Sequence, residues 1–237
     1  MKRLILVVGG HKCGTTWLSQ MHSQNLAFNQ CRLKEPHFFS HYYEEGEHWY
    51  RTLWSEGSAA KCNIEYSTHY CLDPDIFPKA QAFADEVRVI LIVRDPLCRL
   101  VSDFKHKSRN NNIPERVLLS DLLSSHPEMI KLSKFSSLMK AWRSVVSGSN
   151  LFFVNFDSIE NTPKTVLEEI DQFSGVGKFD YKGIDKVVGA GYTPNSVLLE
   201  KIKSLVFQTL TFYPGAIAWL RKLNVDDWYR KLNSQTR

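Results

Sequence analysis

Three short runs of mostly apolar residues punctuate the chain: "LILVV" at residues 4–8, "VRVILIV" at 87–93 and "LFFVNF" at 151–156. Each is too short for a buried helix, and the first two are rich in β-branched residues, so all three read as strands covered on both faces of a sheet. A helix-start signal follows each run. After the first comes a glycine-rich loop and then "TTWLSQMHSQ". After the second, Asp95 is placed to cap and Pro96 to take the first helical position of "PLCRLVSDFKHKS". After the third, Thr162 and Pro163 stand in the same relation to "PKTVLEEIDQFSG", which Gly175 ends. Strands alternating with helices predict an α/β chain with a central parallel sheet flanked by helices. Shorter strands are expected near residues 32–34 and 62–64. "EEGEHWYRTLW" reads as a helix with Trp49, Leu53 and Trp54 turned inward, and residues 197–223 read as helical, with Ile202, Val206 and Leu210 at packing spacing. Two polar stretches, 108–115 and 189–196, interrupt the pattern. No repeat or linker is visible, so a single domain over residues 1–237 is expected.

Composition narrows this picture only slightly. With 43% hydrophobic and 23% charged residues the chain suits a globular domain with a proper core. A net charge of +5 suits an anionic ligand as well as a nucleic acid. The five cysteines, Cys13, Cys31, Cys62, Cys71 and Cys98, match no C-x-x-C spacing and cannot all pair, so reduced thiols are expected. The first apolar run follows two basic residues, but it ends well short of the roughly 7–15 apolar residues of a signal peptide. Nothing approaches the ~20 apolar residues of a membrane span. A cytoplasmic protein without stable membrane insertion is the expectation.

The chemistry starts at "GGHKCGTTWL", residues 9–18. A glycine-rich turn between a strand and a helix N-terminus offers backbone N–H groups and a helix dipole to an anion. The spacing of Gly9 and Gly14 matches G-x-x-x-x-G-K-[ST], yet Thr15 stands where that motif has its lysine, and Lys12 lies inside the loop. Gly14 permits close approach, Thr15 and Thr16 can donate to phosphate oxygens, and Lys12 would reach across the phosphate toward whatever is attached to it. A second anion site is suggested by Arg94, at the carboxyl end of the second strand, where open α/β sheets bind ligands. Arg99, Ser102 and His106 follow at helical spacing on one face. Arg94 and Ser102 together can grip a second phosphate.

These residues resemble the sulfotransferases. "GGHKCGTTWL" is similar to their 5′-phosphosulfate loop K-x-G-T-T, and "VRDPLCRLVSDF" to their 3′-phosphate motif, an arginine followed eight residues later by a serine. "KEPHFF", residues 34–39, resembles the K-E-x-H-F-F segment of the heparan-sulfate branch and its bacterial relatives. The resemblance implies the donor 3′-phosphoadenosine 5′-phosphosulfate (PAPS), the product 3′,5′-adenosine bisphosphate (PAP), and no required metal. It implies a donor site of His11, Lys12, Cys13, Gly14, Thr15, Thr16, Arg94 and Ser102, with Tyr192 in "GAGYTPNS" closing over the nucleotide. It also implies Glu35 as the base, His37 as its orienting partner or the base itself, and Lys12 on the leaving-group side. Two positions depart from the family. Ser40 stands where an aspartate is common, and Tyr66 in "EYSTHY" where E-K-[ST]-x-x-Y has a lysine. Losing that lysine argues against a highly sulfated polysaccharide acceptor.

The expected function is therefore sulfuryl transfer to a hydroxyl, or an amine, of a soluble carbohydrate or small polar molecule, with no nucleic-acid partner. A P-loop kinase would need a lysine after Gly14 and an acidic residue where Arg94 ends its strand. A non-catalytic nucleotide- or RNA-binding module would need aromatic–basic interleaving that is missing here.

Overall fold

The computed structural model describes residues 1–55, 60–109 and 117–185. Among them five strands form one parallel sheet: β1 (Arg3–Val7), β2 (Phe28–Gln30), β3 (Cys62–Tyr66), β4 (Glu86–Val93) and β5 (Leu151–Asn155), in the order β2-β3-β1-β4-β5. β1 is central because its run is the most uniformly apolar; Leu4 through Val8 are wholly buried. It pairs with β3 from Leu4 opposite Asn63 to Val7 opposite Tyr66, and with β4 from Arg3 opposite Glu86 to Val7 opposite Ile90.

Every helix signal after the three long strands is used. α1 (Thr15–His22) follows β1, and α5 (Pro96–Arg109) follows β4 with Asp95 Oδ1 accepting the Cys98 N–H at 2.7 Å, as the sequence suggests. Between β2 and β4 lie α2 (Phe38–His41), α3 (Gly46–Thr52) and α4 (Ile76–Gln81), with a turn of 3₁₀ helix at Thr68–Leu72. Before β5 come α6 (Leu119–Ser125), α7 (Pro127–Lys131) and α8 (Phe135–Val145), to which the hydrophobic pattern alone assigned nothing. After β5 come α9 (Phe156–Asn161) and α10 (Pro163–Ser174), ended by Gly175 at φ 70°. In α3 and just beyond it, Tyr50 and Leu53 are wholly buried and Trp54 nearly so, whereas Trp49 is half-buried.

Two expectations are corrected. The second strand is Phe28–Gln30, not residues 32–34. The chain leaves the sheet after Cys31, whose N–H still donates to Ile64 O at 3.0 Å; Arg32 N turns to Leu53 O, and Glu35, at φ 63°, cannot continue an extended strand. Thr162 does not cap α10 with its side chain; its hydroxyl donates back to Ser158 O at 3.2 Å, closing α9 instead. The expected helix at 197–223 lies outside the described residues.

The topology fixes where a ligand goes. β1 leads to β2 on one side of itself and β4 leads to β5 on the other, so the direction of the crossovers reverses between β1 and β4. In open parallel sheets the crevice at the carboxyl ends of such a pair is the binding site. The glycine loop leaves β1 at that crevice and Arg94 leaves β4 there.

Candidate active site

The loop after β1 approaches β4 so closely that only glycine fits at its start. A Cβ on Gly9 would lie 2.9 Å from Ile92 Cβ. Gly14, at φ 85°, begins α1, and a Cβ there would meet the Phe156 ring at 3.1 Å. Between them Lys12 adopts φ 69°, and the Cys13 N–H closes a turn onto Gly10 O at 3.2 Å. Cys13, expected on the donor side, has a fully buried side chain, and burial pushes its thiol up to about 12. Its sulfur lies 3.8 Å from His11 O, so the thiol serves packing. Thr15 is buried and Thr16 half-buried at the first turn of α1.

Two arginines fasten this loop from α5 and the end of β4. The Arg94 Nη1 donates to Lys12 O at 2.6 Å, and its guanidinium stacks 3.9 Å from the centroid of Phe156. Arg99, grouped with Ser102 and His106 in the sequence, is instead wholly buried. It donates to Ser133 Oγ at 2.7 Å, to Asp103 Oδ2 at 3.2 Å, to Met129 O, and to His11 O at 3.4 Å. A buried guanidinium needs such a full set of acceptors, so Arg99 is a brace under the loop. Ser102 is half-buried one turn further along α5.

The "KEPHFF" segment meets the same crevice from the side of β3. Glu35 N donates to Tyr66 O at 2.8 Å, and the carboxylate turns onto the segment after β3. Its Oε2 accepts from the Thr68 N–H at 2.7 Å and the Thr68 hydroxyl at 2.8 Å, while Lys34 Nζ lies 3.4 Å from Oε1. Burial alone would raise this carboxyl, but Lys34, the Thr68 amide, His37 and His11 outweigh it and hold the group below its ordinary value. Glu35 is therefore ionised at neutral pH. Phe38 and Phe39, wholly buried, anchor the segment against Tyr50, Phe83 and Tyr70, and the Phe39 N–H donates to Tyr70 Oη at 2.9 Å.

His37 Nε2 lies 3.7 Å from Glu35 Oε2. Burial lowers His37 to about 4 against the pull of Glu35, and His69, His41 and His11 push it the same way. It is neutral at neutral pH, so it faces Glu35 as an imidazole and not as a cation. Around it stand His11, His41 and His69, a cluster not anticipated from the sequence, where the four lie in three separate segments. Thr68 is not singled out by the sequence; in "EYSTHY" the departure from the family pattern is at Tyr66. That residue is buried, and its hydroxyl pairs with His22 Nδ1 of α1 at 2.6 Å. Position 66 therefore faces the packing under α1, while its neighbours in the turn face Glu35. Tyr192 and the loop at 189–196 lie outside the described residues.

Among the described non-glycine residues, only Lys12, Glu35 and His37 have positive φ, at 69°, 63° and 50°. Such conformations cost roughly 1–3 kcal/mol each and cluster at working sites. All three border one crevice.

The family assignment agrees with this arrangement. Residues 2–208 match the sulfotransferase domain family. The chain belongs to that family. Among curated proteins it is 24% identical over 149 residues to heparan sulfate glucosamine 3-O-sulfotransferase 3B1 of Mus musculus, covering 60% of this chain and 38% of that protein. It is 23% identical over 180 residues to heparan sulfate glucosamine 3-O-sulfotransferase 6 of Homo sapiens, covering 72% of this chain and 52% of that one. The chain thus spans well under two thirds of these relatives. Among solved structures, a sulfotransferase from Alicyclobacillus acidocaldarius has the same fold, with TM-score 0.69, 18% identity and coverage of 92% of this chain and 96% of that one. Mouse sulfotransferase SULT7A1 complexed with PAP aligns with TM-score 0.52 and 20% identity over 76% of this chain and 61% of that one.

Proposed function

We propose that the protein is a PAPS-dependent sulfotransferase that moves a sulfuryl group to a hydroxyl, or an amine, of a soluble carbohydrate or small polar acceptor. The observation that carries this reading is the convergence of Lys12, Glu35 and His37, each in left-handed backbone, on one crevice of a sulfotransferase-family fold. The donor, when bound, supplies an activated sulfuryl group whose bond to the 5′-phosphate oxygen breaks as the acceptor oxygen bonds to sulfur. The loop of residues 9–16 holds the 5′-phosphate with backbone N–H groups and the start of α1. Lys12 stabilises the charge growing on the leaving oxygen. Arg94 and Ser102 take the 3′-phosphate, with Arg94 also holding the loop through Lys12 O.

Glu35 takes the acceptor's proton. Thr68 occupies Oε2 with two donors, which leaves Oε1, beside Lys34, to accept. A kinase reading has less support, because Thr15 occupies the Walker lysine position and is buried, and Arg94 ends β4. A reducing compartment such as the cytoplasm fits five cysteines that form no disulfide, four of them buried. Thermal-shift measurements are expected to show strong stabilisation by PAP and little by ATP–magnesium. Labelled PAPS with a panel of hydroxylated acceptors then tests transfer. Stabilisation by ATP–magnesium with none by PAP overturns the reading.

A further inference from the structure

Four imidazoles, His11 of the glycine loop with His37, His41 and His69, gather at the crevice. The His69 ring stands edge-on to three others, with centroids 5.0 Å from His11, 5.1 Å from His37 and 5.7 Å from His41. His11 and His37 are half-buried, and His11 Nε2 and His37 Nδ1 are buried atoms without a hydrogen-bond partner. His69 and His41 are exposed, so an incoming molecule meets them first. No group of three or more His, Cys, Asp or Glu among the described residues is arranged to hold a metal ion. Buried polar atoms ordinarily have partners, so these two nitrogens set the wall apart from ordinary packing.

We propose that His69, the hub of this wall, is a specificity-determining residue that contacts the acceptor and selects an uncharged, polyhydroxylated molecule. The proposal rests on the sulfotransferase reading. A neutral imidazole carries one donor and one acceptor nitrogen, which matches a hydroxyl, itself both donor and acceptor. A sulfate or carboxylate only accepts and would leave the lone-pair nitrogens unmatched.

Fixed charge around the wall points the same way. The titratable groups facing it are Glu35, Lys34, Asp103 and Lys107. Lys34 lies 3.4 Å from Glu35, Lys107 lies 3.3 Å from Glu128, and Asp103 is held by Arg99. Each cation is thus already matched by a carboxylate. Burial lowers His11, His37 and His69, so these rings add no charge at pH 8. Among the described residues, the cations named here are all engaged by carboxylates and none is left open to a polyanion.

The test compares chitotetraose with its N-deacetylated, N-sulfated counterpart as acceptors for labelled PAPS at pH 8, alongside calorimetric titration with PAP. The wild-type protein is expected to sulfate chitotetraose with a KM about tenfold below that of the N-sulfated sugar. His69→Ala should raise the chitotetraose KM about tenfold, the effect of one or two lost hydrogen bonds. His69→Asn, which keeps a donor and an acceptor, should restore most of that loss, and His69→Lys should invert the preference. PAP affinity should be the same in all four proteins. The proposal is overturned by a wild-type preference for the N-sulfated sugar, by an unchanged KM in His69→Ala, or by labelling of neither sugar while PAP still binds. Failure of the wild-type protein to bind PAP overturns the donor reading itself.

Discussion

The two sides of the crevice are built on opposite plans. On the donor side the loop is closed on itself: its carbonyls at Lys12 and His11 are held by Arg94 and Arg99, Gly9 and Gly14 sit where a Cβ would be crowded, and its cysteine is buried packing. On the acceptor side a strained glutamate is held by Thr68, and imidazoles with unmatched nitrogens surround it. One side is a finished receptacle for an anion of fixed shape. The other is left open in hydrogen-bonding terms, as a surface must be when the partner supplies the complement. On the proposed reading, braced structure faces the nucleotide and unsatisfied polarity faces the acceptor.

Four measurements would break or sharpen that contrast. The largest effect is expected at Glu35. Glu35→Gln keeps the shape but cannot take a proton, so steady-state turnover should fall by about 10²–10⁴-fold while PAP affinity by calorimetry stays within a factor of two or so. His37→Ala should cost less, since His37 only borders the carboxylate at 3.7 Å. The reverse ranking would make His37 the base. Next in size, Lys12→Ala should lower turnover about 10²–10³-fold, the range for removing a donor that acts mainly in the transition state, with a smaller loss in PAP binding. Equal losses would make Lys12 a ground-state anchor of the donor.

Arg94→Ala should weaken PAP by roughly 1.5–3 kcal/mol in calorimetry, as for a hydrogen bond to a charged group. Because Arg94 also holds Lys12 O, 5′-AMP should lose some affinity too, but less than PAP. Identical losses for both nucleotides would remove Arg94 from the 3′-phosphate and leave it as a loop tether.

The last effect, spread over about two pH units, concerns stability. His37 is lowered to about 4 on the acceptor side, and His22, behind β3, to about 3. Below the unfolded value of 6.5, the unfolded chain binds protons that the folded chain resists. Stability from these groups is therefore full above about pH 6.5 and falls as pH drops toward 4. The slope is about 1.4 kcal/mol per pH unit for each histidine. Denaturant titrations between pH 7 and 4.5 should show His37→Asn losing part of that slope and keeping the His22 share. A slope unchanged by the substitution would mean that His37 titrates normally in the folded protein.

Legibility in the sequence follows the same divide. The donor loop is contiguous, so ten residues and a preceding strand announce it, and β1, β4 and β5 could be read from runs that are apolar because both faces are covered. The acceptor wall is assembled from residues 11, 35–41 and 68–69, and no linear spacing brings those together. Arg99 shares helical spacing with Ser102 and His106, but spacing shows only which residues share a face, not whether that face is turned to solvent or to α7 and the loop. β2 was displaced because the Arg32–Lys34 stretch has strand-like neighbours while the departure of the chain from the sheet is decided by Glu35. The surroundings of position 66 lie beyond a linear reading for a related reason: alternation along β3 sends Glu65 and Tyr66 to opposite faces, and which face meets the crevice is known only once the sheet order is known.

The strand order β2-β3-β1-β4-β5 carries a consequence for how such a molecule can diversify. The nucleotide grip hangs from β1 and β4, whereas the surface that meets the second substrate hangs from β2 and β3, at the other flank of β1. The two are joined through the sheet's hydrogen-bonded ladder and meet at His11, whose ring leaves the glycine loop to join the other imidazoles. Exchanging the segments at 34–45 and 67–72 for those of another member therefore amounts to changing an attachment on a common handle, and the handle keeps its fit.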